Sequence, residues 1–400
     1  MTTNCGDSPA GYLDRWRLLN AWVTMYVVGA DLFIMSPLLP SMANALHVNV
    51  DSAGWLVSAF SIAYAVASPL MGRVSDRYGR RRTICWGLLA FAAANLGTVC
   101  SSSFALALLS RIFAGISVSA ISPSIYAAVG DAAPEGRRAH WISIAVSGLL
   151  TALWTSAPLG ALLAHVMPWR AVFVLLSAAA FALAWPNLRL WPSSKPVGGR
   201  ASRTRVPLYA AVSAVSPMVA WGAALYGLYT YLGTGLTVDM SLSASAVSLC
   251  FIGWGVGAIL GNHLGGWGAD KIGVHFTAIA SLCGMALAMG LLGMGLSGGM
   301  GAGVLAATLC LLALVSYPFQ PAQQTRLVQW GQSAKASFLA WNSSALYLGM
   351  TIGSAFDGYV MKHWSFHALP YAGMAIAAAG AALSLIAQNA FSSDAAVSAA

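Results

Sequence analysis

Twelve long apolar segments recur along the chain, and no other feature of the sequence constrains its fold as strongly. They fall at about residues 18–46, 53–72, 83–101, 104–129, 140–165, 169–190, 207–236, 243–264, 276–296, 300–322, 336–360 and 366–389. A helix needs about 20 apolar residues to cross a bilayer, and only 8% of the 400 residues are charged. Because a soluble domain carries roughly a quarter charged residues, we predict an all-α membrane protein with twelve transmembrane helices.

The basic residues are concentrated on one side of these spans. An even number of spans places both termini on the same side. With the N-terminus inside, the cytoplasmic segments hold all of the 20 basic residues except Arg111, Arg170 and Lys362, and they include Arg326. The positive-inside rule therefore predicts a multi-pass protein of the inner (plasma) membrane with both termini cytoplasmic. This topology accounts for the net charge of +9, so no nucleic-acid partner is predicted.

A polar segment rich in Pro, Gly, Ser and basic residues, 192–207, divides the chain nearly in half. An internal repeat supports this division, because four positions of the first half match four positions of the second half after a shift of 194 residues. The first copy is Gly72, Asp76, Arg77 and Gly79, and the second is Gly266, Asp270, Lys271 and Gly273. We therefore predict two pseudo-symmetric six-helix bundles, 1–191 and 208–400, joined by a cytoplasmic linker at 192–207.

Small residues recur at intervals of four on several spans. In the eighth span they are Gly253, Gly257, Gly261 and Gly265. Such a stripe allows two helix backbones to approach closely in lipid, so the pattern predicts helix packing. The alternative is a smooth face that slides during a conformational change.

The run GRVSDRYGRRRT, Gly72–Thr83, resembles the signature loop after the second helix of the major facilitator superfamily, and GGWGADKIG is a weaker second copy. Longer phrases such as SAGWLVSAFSIAYAVASPLMGRVSDRYGRRR and GWGVGAILGNHLGGWGADKIG are similar to its drug:proton antiporter branch with twelve spans, especially the sugar- and arabinose-efflux-like permeases. The resemblance covers nearly the whole chain. It implies the major facilitator fold, a monomer and secondary transport.

In that family the signature loop clamps helices at the cytoplasmic face and helps to hold the outward-facing state. The resemblance thus implies a conformational gate. Its residues here are Gly72, Asp76, Arg77, Gly79, Arg80, Asp270 and Lys271. A solvated loop that serves only topology is the alternative.

Charged residues inside the spans are costly, at least ~2.5–3.5 kcal/mol each on insertion scales. Counted at ~1.5 Å per residue, Asp31 of span one and Arg111 of span four lie at matching depths, so they can pair. They form either a structural ion pair or a proton-coupling site, with Asp31 exchanging the proton and Arg111 acting as its switch. Asp357, near the outer end of span eleven, is either a partly solvated residue or a second proton-coupling site.

Aromatic and amide residues of the spans that face a central cavity are the candidates for substrate binding. They are Tyr26, Tyr126, Trp154, Trp221, Tyr226, Tyr229, Phe319, Gln320, Gln323, Trp341 and Asn342. Packing or an interfacial position is the alternative for each aromatic residue. The amides are more informative because an amide in lipid needs a partner.

Proton-coupled efflux of a small amphipathic drug or metabolite by alternating access is the favoured function, with the lipid bilayer, protons and a small molecule as partners. A proton symporter or uniporter for a polar metabolite such as a sugar is the transport alternative. The antiporter motif of span five is only partly kept, since Ala157 precedes Pro158 and Ala161 follows Gly160. A membrane sensor is the non-transport alternative.

An enzyme is not predicted, because no nucleophile with a base and no cluster of metal ligands is recognisable in the sequence. The six cysteines and seven histidines have no metal-ligand spacing, so no metal and no other cofactor is expected. The sequence also lacks a GxxxxGK[ST] loop, which argues against transport driven by ATP.

Overall fold

The computed structural model describes residues 9–48, 50–192, 208–331 and 334–399. All regular elements in these ranges are helical, which confirms the all-α prediction. The predicted linker, 192–207, lies outside the described residues except for Pro192. The division of the chain at this linker therefore stays a prediction.

The helices follow the predicted apolar segments in order. In the first half they are α1 (Pro9–Phe33), α2 (Met35–Ala45), α3 (Val50–Ala53), α4 (Trp55–Tyr78), α5 (Arg80–Val99), α6 (Phe104–Ala132), α7 (Arg138–Val166) and α8 (Trp169–Leu190). In the second half they are α9 (Leu208–Thr234), α10 (Ala244–Lys271), α11 (Val274–Ser297), α12 (Ala302–Ser316), α13 (Phe319–Trp330), α14 (Lys335–His363) and α15 (Leu369–Ala399). A π-helical turn, Gly235–Asp239, extends α9.

Eight of the segments in the described part of the chain are long and apolar enough to cross a membrane. They are α4, α6, α8, α11, the stretch Ala302–Trp330 that spans α12 and α13, and most of α9, α10 and α15. The other predicted spans coincide with α1 and α2 together, α5, α7 and α14.

The first predicted span, 18–46, is not one continuous helix. α1 ends at Phe33, and α2 begins at Met35 after a single turn residue, Ile34. Pro37 then lies in the first turn of α2, where its missing N–H removes no intrahelical hydrogen bond. The break follows Asp31 by three residues, so it is close to the first buried charge.

Two compact units are formed by the chain. Unit 1 contains Met1–Pro134, Ile144–Thr204 and Ser333–Ala340, and unit 2 contains Glu135–Ser143, Arg205–Gln332 and Trp341–Ala400. The first residues of α7 thus belong to unit 2 and the rest of that helix to unit 1. α14 is divided in the opposite sense, since its first residues belong to unit 1.

The glycine stripe of α10 packs against the backbone of α12 and, beyond its end, against Pro318. A Cβ added at any of the four glycines would meet backbone atoms, and the residues met also recur at intervals of four. They are Ala306, Cys310, Leu314 and Pro318. The packing predicted from the spacing of the glycines is confirmed.

We expect Gly257→Leu to destabilise the protein by about 1–3 kcal/mol or more, because the new side chain would collide with the Cys310 carbonyl. Thermal unfolding of the purified protein in detergent measures the change. Gly303→Ala is the matched control on α12, since a Cβ at Gly303 meets nothing within 4 Å. Equal stability of the two variants would contradict the packing role of the stripe.

Candidate functional site

A fully buried ion pair joins α1 to α6 in unit 1. Asp31 lies near the C-terminal end of α1, and Arg111 lies two turns into α6. Arg111 Nη1 donates to Asp31 Oδ1 over 3.1 Å, and Nη2 donates to Oδ2 over 2.7 Å. Both side chains are 0% exposed. The structure therefore brings together the two charges whose depths match in the sequence.

Two phenylalanine rings enclose the guanidinium group of this pair. The Arg111 Cζ atom lies 4.7 Å from the centre of the Phe60 ring and 5.9 Å from that of Phe173. Both rings can stabilise the cation through their π faces. Gly115, one turn further along α6, allows the close approach, because a Cβ there would collide with the Phe60 carbonyl.

The two charges of this pair depend on each other. The C-terminal end of a helix carries partial negative charge, so the carboxylate of Asp31 near the end of α1 is disfavoured without a cation. The guanidinium group of Arg111 is 0% exposed, so it depends equally on the carboxylate. Removal of one partner from a buried pair leaves an uncompensated charge and costs about 3–5 kcal/mol. Whether Asp31 also exchanges a proton stays a prediction.

We expect Asp31→Asn to lower the free energy of unfolding by about 3–5 kcal/mol, because the Arg111 charge would then be buried alone. The double variant Asp31→Asn with Arg111→Gln should lose less, since it buries no unpaired charge. Thermal unfolding in detergent measures both. Additive losses in the double variant would show that the pair has no mutual stabilisation.

Asp357 of α14 is buried in unit 2, at 1% exposure. The alternative of a partly solvated residue near the outer end of the span is therefore wrong. The helix packs closely on α9 here, because a Cβ added at Gly227 would lie 2.5 Å from Asp357 Oδ2. Neither carboxyl oxygen has a hydrogen-bond partner among the described residues. Its predicted role as a second proton-coupling site is not tested by this geometry.

Arg326 is a buried charge that the sequence analysis missed. We assigned it to a segment between spans, whereas it lies within the helix α13 at 0% exposure. Its Nη1 donates to Ser384 Oγ over 2.8 Å, its Nη2 donates to Gln323 Oε1, and its Cζ lies 4.9 Å from the Trp330 ring centre. The sequence signal for this contact was the spacing of three residues between Gln323 and Arg326, because residues three apart lie on one face of a helix.

The amides predicted to bind substrate satisfy one another inside unit 2. Gln323 Nε2 donates to the Ala214 carbonyl over 2.8 Å and to Asn342 Oδ1 over 3.3 Å. Gln324 Nε2 donates to Gln320 Oε1 over 3.2 Å. The structure thus brings Gln323 and Asn342 together, as expected for amides that need partners in an apolar environment.

Most of the aromatic candidates of unit 2 belong to one cluster of rings. Trp221 and Phe319 are fully buried, and their ring centres lie 5.9 Å apart in a stacked arrangement. Trp221 also contacts Tyr226, which in turn contacts Tyr229. Trp254 and Tyr317 join this cluster without having been predicted.

The remaining aromatic candidates are dispersed. Tyr26 stacks on Trp22 with ring centres 5.5 Å apart, and Tyr126 is buried in α6. Trp154 is 41% exposed, and Trp341 is half-buried in α14. In unit 1, no ring contact joins Tyr26, Tyr126 and Trp154 among the described residues. The role of all four residues in substrate binding stays a prediction.

Asp76 of the signature loop caps the N-terminal end of α14, and this end belongs to unit 1. Its Oδ1 accepts from the Ala336 amide over 3.1 Å, and its Oδ2 accepts from the Ser337 amide over 3.0 Å and from Ser337 Oγ over 2.8 Å. A carboxylate at this place satisfies free amides and offsets the positive end of the helix. Gly72 allows the approach, since its Cβ would lie 2.6 Å from the Ala340 Cβ.

Arg80, the first residue of α5, extends this arrangement. It pairs with Asp131 at the end of α6, and Lys335 Nζ lies 2.8 Å from the other oxygen of Asp131. Burial lowers the pKa of the Arg80 guanidinium, and the nearby Asp76 carboxylate raises that pKa again. Gly79 joins α4 to α5 with a φ of 91°, which favours glycine. Asp131 was not among the predicted gate residues. Arg77, which was predicted as one, is exposed.

Asp270, in the second copy of the loop, has the same role in unit 2. Its Oδ1 accepts from the Ala139 amide over 2.9 Å, and its Oδ2 accepts from the His140 amide over 2.8 Å, at the start of α7. Gly266 again lies against the capped helix, whereas Lys271 is exposed. The repeat seen in the sequence therefore corresponds to two helix caps.

We expect Asp76→Ala to destabilise the first turn of α14 by about 1 kcal/mol, because its amides lose their acceptors. Hydrogen–deuterium exchange should then accelerate in the peptide that contains Ala336 and Ser337. Asp270→Ala is the matched control and should accelerate exchange at Ala139 and His140 instead. Unchanged exchange at both helix starts would contradict the capping role.

A family model described as the Major Facilitator Superfamily matches residues 21–241 of the chain. Among curated proteins, the uncharacterized MFS-type transporter YceJ of Bacillus subtilis (strain 168) is 27% identical over 346 residues, which cover 84% of this chain and 87% of YceJ. A chloramphenicol resistance protein of Streptomyces lividans is 23% identical over 267 residues, covering 64% of this chain and 68% of that protein.

Among solved structures, the MFS proton:xylose symporter XylE bound to 6-bromo-6-deoxy-D-glucose is similar, with a TM-score of 0.76 and 16% sequence identity. The similarity covers 92% of this chain and 94% of that one. At this identity the similarity concerns the fold alone. The predicted major facilitator fold is thereby confirmed.

Proposed function

This chain belongs to the major facilitator superfamily, and we propose that it exports a small amphipathic drug or metabolite in exchange for protons by alternating access. The chain is a membrane transporter and not an enzyme. We place it in the inner (plasma) membrane as a monomer with both termini cytoplasmic. Family membership leaves the alternative of a membrane sensor without support.

The observation that carries proton coupling is the burial of ionisable side chains inside apolar helices. The exposed fraction is 1% or less for each of the residues Asp31, Arg111 and Asp357. Such residues are costly to insert and commonly belong to ion or proton pathways. Their burial therefore supports a transport cycle driven by the proton gradient.

Export is supported by two similarities. The phrases around the signature loop resemble the drug:proton antiporter branch, and one relative is named as a chloramphenicol resistance protein. The incomplete antiporter motif around Pro158 favours the alternative, a proton symporter or a uniporter for a polar metabolite. The fold does not distinguish antiport from symport, because the symporter XylE has the same fold.

The gate belongs to the same proposal. Asp76 and Asp270 each cap a helix whose first residues and remaining length belong to different units. A change of conformation that moves the start of α7 or α14 away from its aspartate breaks the hydrogen bonds of that cap. We therefore assign the gate to the two caps together with Arg80, Asp131 and Lys335.

Transport into proteoliposomes tests the direction of coupling. The purified protein is reconstituted, and chloramphenicol together with a panel of neutral, cationic and anionic amphipathic compounds is supplied outside. We expect an inside-acid pH gradient to drive accumulation of at least one compound and a protonophore to abolish it. Protein-free liposomes control for passive entry.

Other outcomes of this experiment assign other functions. Accumulation driven by an outside-acid gradient would show symport, since substrate and proton then move in the same direction. Equilibration that ignores either gradient would show uniport. Both results would overturn the proposed exporter.

A further inference from the structure

Among the residues that the structure describes, each repeat contains one buried carboxyl group at the same level of its first long helix. Asp31 lies on α1, and the repeat shift of 194 residues places its counterpart at Leu225 of α9. Asp357 meets α9 at Gly227, which is two residues, or about 3 Å, further along that helix. Unit 2 therefore holds an acid close to the position that corresponds to Asp31, although α14 supplies it.

The two acids differ in what neutralises them. Asp31 has a guanidinium group at 2.7 Å, whereas the counterpart of Arg111 in the second repeat is Leu305, a buried apolar residue. The carboxyl oxygens of Asp357 have no hydrogen-bond partner and no ion-pair partner among the residues that the structure describes. A charge buried in this way would be uncompensated.

Among the described residues, no cation pairs with Asp357 in the way that Arg111 pairs with Asp31. On α9, the hydroxyl of Tyr231 donates to the Ser354 carbonyl over 3.1 Å. On α14 itself, Lys362 and His363 lie beyond Asp357 and are exposed, with His363 Nδ1 held 2.9 Å from the Tyr359 carbonyl. None of the ion pairs among the described residues includes Asp357.

The carboxyl group of Asp357 packs directly on the backbone of α9. A single added carbon at Gly227 would lie 2.5 Å from Asp357 Oδ2 and 3.0 Å from the Gly353 carbonyl. One turn before Gly227 along α9, the backbone of Ala223 lies against Gly353 of α14. The two helices therefore enclose a carboxyl group that has no hydrogen-bond partner among the described residues.

We propose that Asp357 carries the exchanged proton of the transport cycle, while Asp31 stays ionised as the fixed partner of Arg111. This inference rests on the proposed proton-coupled export. In the arrangement seen here Asp357 is a neutral carboxylic acid. When α9 and α14 separate, water enters, the O–H bond breaks, the proton passes to that water and the carboxylate remains. Reprotonation from water on the other side restores the packed arrangement.

Infrared spectroscopy of the full chain in detergent tests where the proton lies, without any substrate. We expect wild type at neutral pH to show the C=O stretch of a protonated carboxyl group, with its shift in D₂O. That band should be lost in Asp357→Asn. It should remain in Asp31→Asn with Arg111→Gln, a control that removes the ion pair without burying a lone charge. Loss in the control and persistence in Asp357→Asn would overturn the proposal.

Transport separates failure of this inference from failure of the proposed function. Asp357→Asn imitates the protonated acid in size and charge, so we expect it to fold and to equilibrate chloramphenicol or another transported compound of the panel while losing gradient-driven accumulation. If the variant still accumulates the compound like wild type, Asp357 does not carry the proton, although proton coupling stands. If wild type ignores the gradient, the proposed function fails, and the infrared band still decides the protonation of Asp357.

Gly227→Ala gives a second variant that leaves the carboxyl group in the chain. The added methyl group would displace the Asp357 side chain from its contact with α9. We expect the infrared band to move or to weaken, because the carboxyl group then meets a different environment. An unchanged band would show that the protonated group is not the one packed on Gly227.

Discussion

A charge inside an apolar layer has to be paired with an opposite charge or stabilised by polar and aromatic groups of the protein, and the buried arginines of the two units meet this requirement in different ways. In unit 1 the carboxylate of Asp31 and the guanidinium of Arg111 neutralise each other, and two phenylalanine rings close over the cation. In unit 2 Arg326 is surrounded by neutral oxygens and an aromatic ring. The cost of a lone buried charge makes each of these arrangements resistant to change by single substitutions.

Close approach of helix backbones is the second condition on which the structure depends. In lipid there is no hydrophobic drive between helices, so contact area and short distances have to supply the attraction. The glycines of α10 give such contact with α12. The same kind of contact between α9 and α14 encloses Asp357. Tight packing thus both stabilises unit 2 and buries its acid.

In both repeats an aspartate caps the start of a helix, but the charged residues beside the two caps differ. Asp76 and Asp270 each accept hydrogen bonds from the first amides of a helix. Around Asp76 the cap is reinforced by Arg80, Asp131 and Lys335. Lys271 is exposed in the second copy. The common feature of the two copies is therefore the aspartate cap, whereas the basic residue that follows it is not retained in an equivalent contact.

Much of the fold was predictable because membrane insertion depends on local properties of the chain. Hydropathy over about 20 residues located the helical segments, and the spacing of glycines located a packed face on α10. The repeat identified Asp76 and Asp270 as equivalent from the sequence alone, although the sequence did not indicate the hydrogen-bond partners of either residue. The break at Ile34 was missed, since hydropathy averages over a window and does not report a one-residue interruption.

By itself, then, the sequence determined the class of the fold, the matching depths of Asp31 and Arg111 and the equivalence of the two loops. Only the tertiary structure decided which side chains meet. Asp31 and Arg111 are 80 residues apart in the chain, and depth alone left their contact open because it depends on helix tilt and rotation. The burial of Asp357 and Arg326 was likewise decided by neighbouring helices. Distances between helices are set by packing across the whole bundle, and no local pattern contains that information.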